Sequence, residues 1–202
     1  MKMICIGRNY LDHITELNNE KPDDMVVFMK PQSALHFKTD PWFIPDFSNE
    51  IHYECEIVVK ISKNGKHIQP KQAPTFYEEI SLGIDFTARD LQNQLKQRGL
   101  PWERAKAFDH SALVGEFQPK SHYDLTNLPF EFKRNGASVQ IGNSANMIYN
   151  IDTIIVEISK FFTLNKGDLL FTGTPAGVAA IAVGDHYEGF LDGKSVFQLD
   201  IR

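Results

Sequence analysis

The sequence is poor in cysteine and has no excess of positive charge. Cys5 and Cys55 are its 2 cysteines among 202 residues, and they lack the Cys-x-x-Cys spacing of redox and zinc motifs. This argues against a disulfide framework and favours a reducing compartment. The net charge is −5 and no basic cluster interrupts the chain, so a nucleic-acid partner is not expected.

Long apolar runs and nucleotide-binding glycine motifs are also missing. No stretch reaches the ~18 apolar residues of a transmembrane helix, and the N-terminus lacks the apolar core and cleavage site of a signal peptide. There is no Gly-x-Gly-x-x-Gly, and residues 189–195 are one residue short of a P-loop. We therefore expect a cytoplasmic protein without a membrane or nucleotide partner. With 42 % apolar residues, it should form one domain over residues 1–202.

Turn signals and short apolar runs predict a mixed, mainly β fold with a few short helices. Tight hairpins are expected at Asn64-Gly65, Asn135-Gly136 and Asp192-Gly193, because these pairs tolerate the positive φ angles of type I′ turns. Apolar spacing and capping signals predict helices over residues 151–162, 87–99 and 11–17, the first capped by Asn150 or Asp152 and the second by Thr87. Residues 17–25 have the composition of a surface loop.

The stretch over residues 51–61 is the most informative part of the chain. It is rich in β-branched and apolar residues, which predicts a strand. Side chains alternate faces in a strand, so His52, Glu54 and Glu56 should share one face and the apolar residues the other. Two adjacent carboxylates repel each other unless a cation lies between them. The alternative is a solvated face on which both glutamates lie beside Lys60.

Asp85 is the best candidate for a third carboxylate ligand. It follows the apolar run 80–84, a predicted buried strand, and precedes the predicted helix that starts near Thr87. Three carboxylates without a set of Cys or His ligands favour a hard cation, Mg²⁺ or Mn²⁺. A metal centre of Glu54, Glu56 and Asp85 is therefore expected.

Other groups could act beside such a centre, although each has an ordinary structural explanation. Arg89 and Gln92 are three residues apart on a predicted helix and could bind a substrate carboxylate, or lie on a plain helix surface. His13 and Glu16 have the same spacing and could activate water, or form a surface pair. Lys106 could stabilise developing negative charge, or extend its ammonium to solvent.

A segment rich in small residues near the C-terminal end, 171–178, could let the backbone approach a ligand, with Thr174 offering a hydroxyl. A plain Gly/Pro turn explains the segment equally well.

Taken in order along the chain, these motifs resemble the fumarylacetoacetate hydrolase family, in particular its short members of the acylpyruvate hydrolase and oxaloacetate decarboxylase type. The matching stretches span residues 7–178, and their joint order is specific although no single one is. They are Gly7-Arg8-Asn9-Tyr10-Leu11-Asp12-His13, Phe28-Met29-Lys30-Pro31, His52-Tyr53-Glu54-Cys55-Glu56, Asp85-Phe86-Thr87-Ala88-Arg89-Asp90-Leu91-Gln92, Arg98-Gly99-Leu100-Pro101-Trp102 with Lys106, and Thr172-Gly173-Thr174-Pro175-Ala176-Gly177-Val178.

The resemblance implies a β-sandwich roll, a homodimer, and Mg²⁺ or Mn²⁺ on the three carboxylates. It also implies roles for individual side chains: His13 and Glu16 to activate water, Lys106 to stabilise an enolate, and Arg8, Tyr10, Arg89, Gln92 and Thr174 to contact the substrate. His110 departs from the family pattern, because a small residue is expected there. It would either alter the polarity of the pocket or lie on the surface.

The expected activity is metal-dependent hydrolysis of a C–C bond in acylpyruvates, which are 2,4-dioxo acids, to give pyruvate through an enolate. Oxaloacetate decarboxylation or tautomerisation, and isomerisation of a 2-hydroxyhepta-2,4-diene-1,7-dioate, use the same kind of enolate and remain alternatives. In all of these the partner is a small oxo acid. A non-catalytic β-domain that binds without metal is the alternative from another class.

Overall fold

The computed structural model describes residues 1–16, 24–36 and 40–202, and it confirms a mainly β fold with a few short helices. The strands are β1 Met3–Gly7, β2 Val26–Lys30, β3 Leu35–His36, β4 Ile51–Tyr53, β5 Cys55–Ile61, β6 Tyr77–Asp85, β7 Thr87–Ala88, β8 Ala112–Val114, β9 Gln118–Pro119, β10 Pro129–Arg134, β11 Ala137–Asn143, β12 Leu169–Phe171, β13 Ala179–Ala180, β14 His186–Leu191 and β15 Lys194–Asp200. The helices are α1 Leu11–Glu16, α2 Arg89–Gln97, α3 Glu103–Lys106 and α4 Ile151–Phe161.

Three sheets build the part of the fold that the structure describes. The largest has the strand order β2-β1-β12-β5-β6-β8-β3, with β9 beside β6. A four-stranded sheet has the order β11-β10-β14-β15, and a small sheet has the order β13-β4-β7. The main core includes Ile57 of the large sheet, Phe132 of the four-stranded sheet and Ile155 of α4, all of them 0 % exposed. A second apolar cluster, which includes Val58 and Phe171, lies on the opposite face of the large sheet.

The predicted hairpins have mixed outcomes. Asn135-Gly136 joins β10 to β11 and Asp192-Gly193 joins β14 to β15, each with two positive φ angles, so both predictions are confirmed. The hairpin at Asn64-Gly65 is wrong. Gly65 forms an isolated bridge with Leu164, and a Cβ on it would lie 2.3 Å from the Phe76 ring. A glycine is therefore needed here for close packing against Phe76 and not for a turn.

The predicted helices are found, with one error in capping. Asn150 caps α4 by accepting a hydrogen bond from Thr153 N at 2.8 Å, as one of the two predicted caps. Helix α2 ends before Gly99, whose φ is +62°, as expected. Thr87 does not cap α2, because it belongs to β7 and its hydroxyl faces Lys106 at 2.6 Å. Within the described residues, no helix is long and apolar enough to cross a membrane.

The predicted strand over residues 51–61 is two strands that meet at Glu54. Strand β4 pairs within the small sheet, whereas β5 pairs within the large one. The apolar face is as predicted, with Tyr53, Cys55 and Ile57 at most 2 % exposed. The chain thus changes sheets at Glu54, and this places its carboxylate at the junction between two sheets.

Candidate metal centre and active site

Three carboxylates converge where the start of β5 lies beside the end of β6. Glu54, Glu56 and Asp85 each offer an oxygen within 4.8 Å of the others, and their exposed fractions are 6 %, 2 % and 0 %. Register explains the meeting: Cys55 pairs with Ile84, and Asp85 N donates to Glu54 O at 2.9 Å. The burial rules out the solvated face that the sequence left open.

The carboxyl group of Glu56 is strongly affected by this arrangement. Burial raises its pKa well above the ordinary value, and the nearby charges of Asp85 and Glu54 raise it further. One hydrogen bond, from Gly173 N to Glu56 Oε2 at 2.7 Å, opposes the rise. Glu56 faces Gly83 on the neighbouring strand, and a Cβ there would lie 2.4 Å from Leu113 O.

Asp85 has one oxygen that is available to a further ligand. Its Oδ1 lies 2.7 Å from Lys30 Nζ but accepts no hydrogen bond from the described residues. The Lys30 ammonium donates instead to the carbonyl oxygens of Phe86, Lys106 and Ser111 and to the Ser111 hydroxyl. Lys30 is fully buried, so it supplies Asp85 with a fixed positive charge and holds the Lys106 backbone in place.

Lys106, the last residue of α3, links the acidic residues. Its Nζ donates to Glu54 Oε2 at 2.7 Å, to Asp85 Oδ2 at 2.8 Å and to Thr87 Oγ1 at 2.6 Å. Burial opposes its charge, but the Coulombic attraction of Asp85 and Glu54 outweighs burial and raises the pKa. The Phe28 ring lies 5.0 Å from Nζ. Lys106 is 3 % exposed, so the solvent-facing alternative is excluded.

Arg89 and Gln92 project from the first turn of α2 toward the same carboxylates. Arg89 donates to Glu54 Oε1 at 2.5 Å and to Gln92 Oε1 at 2.6 Å, and both residues are buried. His52 lies beside them and shares a hydrogen bond of 2.9 Å with Glu50. Burial, and then the Arg89 charge, lower the pKa of His52, so this ring is neutral at pH 7.

The segment after β12 forms another wall of the site. Thr174 Oγ1 donates to Cys55 O at 2.8 Å and accepts from Gln140 Nε2 at 2.9 Å. Gly173 has φ +96°, and a Cβ on it would lie 2.7 Å from Asn9 Cβ. Asn9 in turn donates to Thr172 O at 2.7 Å. The segment is therefore more than the plain Gly/Pro turn that the sequence left open. It is buried, and its backbone holds the Glu56 carboxylate in place.

These groups surround one cavity of about 290 Å³. The side chains that line it include Glu54, Glu56, Arg89, Gln92, Lys106 and Thr174, together with Arg8, Phe28, Glu50, His52, Asn93, Lys96 and Trp102. In the acidic cluster, three carboxylates contact three cationic side chains, those of Lys30, Arg89 and Lys106. A divalent cation would make this end of the cavity positive, which suits an anionic ligand.

The remaining predicted residues lie in different places. Arg8 lines the cavity and has φ +59°. Tyr10 is 3 % exposed, its hydroxyl has no hydrogen-bond partner within the described residues, and it does not line the cavity. Glu16 accepts a hydrogen bond from Gly177 N at 2.9 Å. The His13 side chain and residues 17–23 lie outside the described residues.

Among the side chains that hold the acidic cluster and the 171–178 segment in place, Lys30, Thr87 and Gln140 were not assigned from the sequence. Lys30 had a signal, since a lysine in the apolar run of β2 needs a buried partner. Gln140 is 1 % exposed while its neighbour Ile141 is 73 % exposed, which reverses the apolar pattern of β11. His110 is exposed and stacks edge-on against His36 at 5.3 Å, away from the cavity.

The donor set fits a divalent metal ion. All three ligands are carboxylates, the preferred ligands of Mg²⁺ and Mn²⁺. Asp85 Oδ1 is buried and accepts no hydrogen bond within the described part of the chain. The raised pKa of Glu56 reflects burial first and then the negative charges of Asp85 and Glu54, which a cation would offset.

Comparisons with known proteins agree with this chemistry. The model of the fumarylacetoacetate (FAA) hydrolase C-terminal family matches residues 2–201. The chain is 38 % identical to mouse "Oxaloacetate tautomerase FAHD1, mitochondrial" over 99 % of the chain and 91 % of the relative.

Two solved structures are similar. One is fumarylpyruvate hydrolase from Pseudomonas aeruginosa in complex with Mn²⁺ and pyruvate, with TM-score 0.93 and 31 % identity, covering 100 % of this chain and 89 % of the other. The second is 2-hydroxyhepta-2,4-diene-1,7-dioate isomerase from Mycobacterium marinum, with TM-score 0.85 and 32 % identity, covering 99 % of this chain and 73 % of the other.

Proposed function

The chain belongs to the fumarylacetoacetate hydrolase family of enzymes, and from this premise we propose that it hydrolyses a C–C bond of acylpyruvates, with a divalent metal, to give pyruvate. The observation that supports this most directly is the buried triad of Glu54, Glu56 and Asp85. Arg89 and Lys106 lie beside it, and they line the cavity together with Glu54 and Glu56. In a binding domain without metal, the desolvation cost of burying these charges would bring no functional gain.

The cofactor is Mg²⁺ or Mn²⁺, held by Glu54, Glu56 and Asp85. When bound, such an ion supplies a Lewis acid that polarises a 2-oxo group and favours its enolate. The similar fumarylpyruvate hydrolase was solved with Mn²⁺ and pyruvate, which supports this choice of ion and ligand.

Arg89 and Gln92 orient the substrate. The guanidinium of Arg89 is buried and anchored to Glu54, so its remaining N–H groups are presented in a fixed direction. Gln92 accepts one of them, which leaves its amide NH₂ to donate. Together they can bind the C1 carboxylate of a 2-oxo acid, and Thr174 lines the same cavity.

Lys106 stabilises the negative charge that develops on the substrate. In this structure its three N–H groups are taken by Glu54, Asp85 and Thr87. With a cation bound, these carboxylates would hold Lys106 less strongly, and one of its N–H groups could then donate to the enolate oxygen. Because the site is buried, the fixed charge acts more strongly than it would in water.

In the hydrolytic step, water adds to the C4 carbonyl, the C3–C4 bond breaks, and its electron pair forms the pyruvate enolate. Protonation of C3 then gives pyruvate, and the acyl group leaves as a carboxylic acid. We propose that His13, oriented by Glu16, is the general base that accepts the proton from this water. The hydrogen bond from Gly177 N to Glu16 supports a position of α1 near the loop that carries Thr174.

Oxaloacetate tautomerisation is the second candidate, and the mouse relative that bears this name favours it. It needs the enolate and a proton transfer, but neither water addition nor cleavage of a C–C bond. The two activities therefore depend differently on His13.

The test is to compare turnover of acetylpyruvate and the enol-to-keto conversion of oxaloacetate with Mg²⁺ or Mn²⁺ and after chelation. We expect both to need metal, and Glu54→Gln to weaken metal binding. His13→Ala should abolish hydrolysis and spare much of the tautomerisation. Metal-independent turnover would contradict the proposed centre, and equal loss of both activities in His13→Ala would contradict the division of roles.

A further inference from the structure

The peptide between the two glutamates of the metal centre has no strand partner on one side. Strand β12 pairs with β5 as far as Phe171, which lies opposite Val58, and Thr172 N donates to Ile57 O at 3.1 Å. Nearer the start of β5, no strand of the described residues pairs with Cys55 on this side. Cys55 is 0 % exposed, so its backbone N–H and C=O need other partners.

Two side chains supply these partners. Cys55 N donates to Gln140 Oε1 at 3.0 Å, and Cys55 O accepts from Thr174 Oγ1 at 2.8 Å. Gln140 Nε2 donates to Thr174 Oγ1 at 2.9 Å and to Pro175 O at 3.0 Å. The backbone of Cys55 and the side chains of Gln140 and Thr174 thus form a closed ring of three hydrogen bonds.

This network allows one orientation of the Gln140 amide. Reversal would turn the NH₂ group toward the Cys55 N–H and the amide oxygen toward the Pro175 carbonyl, so donor would face donor and acceptor would face acceptor. Because Thr174 accepts from this amide, its own proton goes to Cys55 O. Gln140 and Thr174 are 1 % and 3 % exposed, so bulk water does not compete for these bonds.

Gln140 occupies a position where packing alone favours an apolar residue. On β11 it lies opposite Phe132 of β10, a core residue that is 0 % exposed. A buried amide is costly unless its hydrogen bonds are made. The segment 171–178 approaches β11 closely here, since a Cβ on Gly177 would lie 2.3 Å from Val139 O and 3.2 Å from Gln140 Cγ. The amide therefore serves the contact of β11 with this segment and with Cys55.

The Cys55 peptide controls the two glutamates that flank it. Glu54 and Glu56 line the same cavity, and each offers an oxygen within 4.8 Å of the other. Two carboxylates this close repel each other, and this repulsion favours rotation of an unrestrained backbone where β4 meets β5. Gln140 does not line the cavity, so it acts on a bound ion only through the residues that it holds.

We propose that Gln140 is a positioning residue of the metal centre: it fixes the Cys55 peptide, and this sets the separation and direction of the Glu54 and Glu56 carboxylates. The role rests on the proposed function, because it assumes that both glutamates hold a divalent ion. The same amide keeps the segment 171–178 beside β5. One side chain of the four-stranded sheet thereby joins the metal-binding strand to the wall next to it.

The affinity of the metal-free protein for Mn²⁺, measured by calorimetry, tests this role without turnover. Gln140→Met removes the amide at similar length and should weaken Mn²⁺ binding about 10- to 100-fold, the usual effect of losing a group that orients metal ligands. Gln118→Met is the matched control. Gln118 is 4 % exposed and hydrogen-bonded to Lys194 and Glu116, but it lies on β9 and away from the cavity. Its loss should lower the free energy of unfolding and leave Mn²⁺ affinity unchanged.

Two further measurements separate positioning from a general loss of stability. The electron paramagnetic resonance spectrum of bound Mn²⁺ depends on the arrangement of its ligands, so it should change in Gln140→Met and stay as in the wild type in Gln118→Met. Thr174→Val breaks the other bond to the same peptide. The effects of Gln140→Met and Thr174→Val on Mn²⁺ affinity should therefore be less than additive in the double variant. Gln140→Asn, one methylene shorter, is the milder variant if Gln140→Met does not fold.

Each result has a separate meaning. Wild-type Mn²⁺ affinity and spectrum in a folded Gln140 variant would overturn the positioning role and leave the proposed function intact. An equal loss of affinity in Gln118→Met, or additive effects in the double variant, would also overturn it. If neither Gln140 variant folds, the residue is needed for the fold itself, and a role specific to the centre is wrong. If the wild type binds no Mn²⁺, the proposed function fails, and the role of Gln140 falls with it.

Discussion

Metal binding should release one proton, and Glu56 should be its source. Burial raises the pKa of Glu56 well above its ordinary 4.5, and Asp85 and Glu54 raise it further. The metal-free protein therefore keeps Glu56 protonated at a pH where an exposed glutamate is ionised. A metal ligand must be deprotonated, so the arriving cation displaces this proton.

The magnitude follows from linkage. Between pH 4.5 and the raised pKa of Glu56, affinity for Mg²⁺ or Mn²⁺ should increase about tenfold per pH unit, since one pKa unit is ~1.36 kcal/mol. Above the raised pKa the affinity should level off. Stability of the metal-free protein changes in the opposite sense: unfolding releases the same proton, so rising pH through this window destabilises the fold.

Calorimetry in two buffers of different ionisation enthalpy counts the protons released at one pH. Glu56→Gln is the matched variant, because an amide oxygen can still accept from Gly173 N but cannot titrate. It should bind metal more weakly and release no proton. Lys106 is the other group in the centre that could release the proton, although its raised pKa keeps it charged. Lys106→Met tests this alternative. Absence of proton release in the wild type, or unchanged release in Glu56→Gln, would refute the reasoning.

Two further predictions concern the structure around the centre. Lys30→Met should lower the free energy of unfolding by about 3–5 kcal/mol in urea, because it removes one of the two cations that contact the fully buried Asp85, the ammonium that lies 2.7 Å from Oδ1. Lys60→Met is the control, since its pair with Glu79 is 40 % and 45 % exposed and its loss should cost under ~1 kcal/mol. Similar losses in the two variants would show that burial does not matter here. Gly83→Ala should cost about 1–3 kcal/mol and weaken metal binding, because its Cβ would lie 2.4 Å from Leu113 O and 2.8 Å from Val58 Cγ2 beside Glu56; wild-type melting temperature and metal affinity would contradict this.

Much of the centre could be predicted because its signals are local. Alternation along β5 was enough to place Glu56 opposite the apolar face that carries Cys55 and Ile57, and the apolar run before Asp85 marked a buried strand. The three carboxylates were predicted together because hard cations need such ligands, and the structure places them together. Their roles in catalysis stay predictions, as does the pairing of His13 with Glu16.

Other parts of the site depend on contacts between distant segments. Lys30 lies 76 residues from Lys106 and Gln140 lies 85 residues from Cys55, yet each pair is joined by a hydrogen bond. The spacing of apolar residues along the sequence carries no information about contacts between such distant residues. Thr87 was expected to cap α2, but tertiary structure directs its hydroxyl to Lys106 instead. Asn64-Gly65 failed for a similar reason, because packing against Phe76 outweighs the local preference for a turn.

The sequence by itself determined the mainly β class and two of the hairpins, limited the α4 cap to two residues, and grouped the three carboxylates of the candidate metal centre. These follow from backbone preferences and from the alternation of side chains, which act over a few residues. Only the tertiary structure decided that the chain changes sheets at Glu54, that Lys30 is paired with Asp85, and that Lys96 shares a cavity with the centre. Those facts depend on sheet register and on the packing of α2 against the sheets, which involve the whole chain.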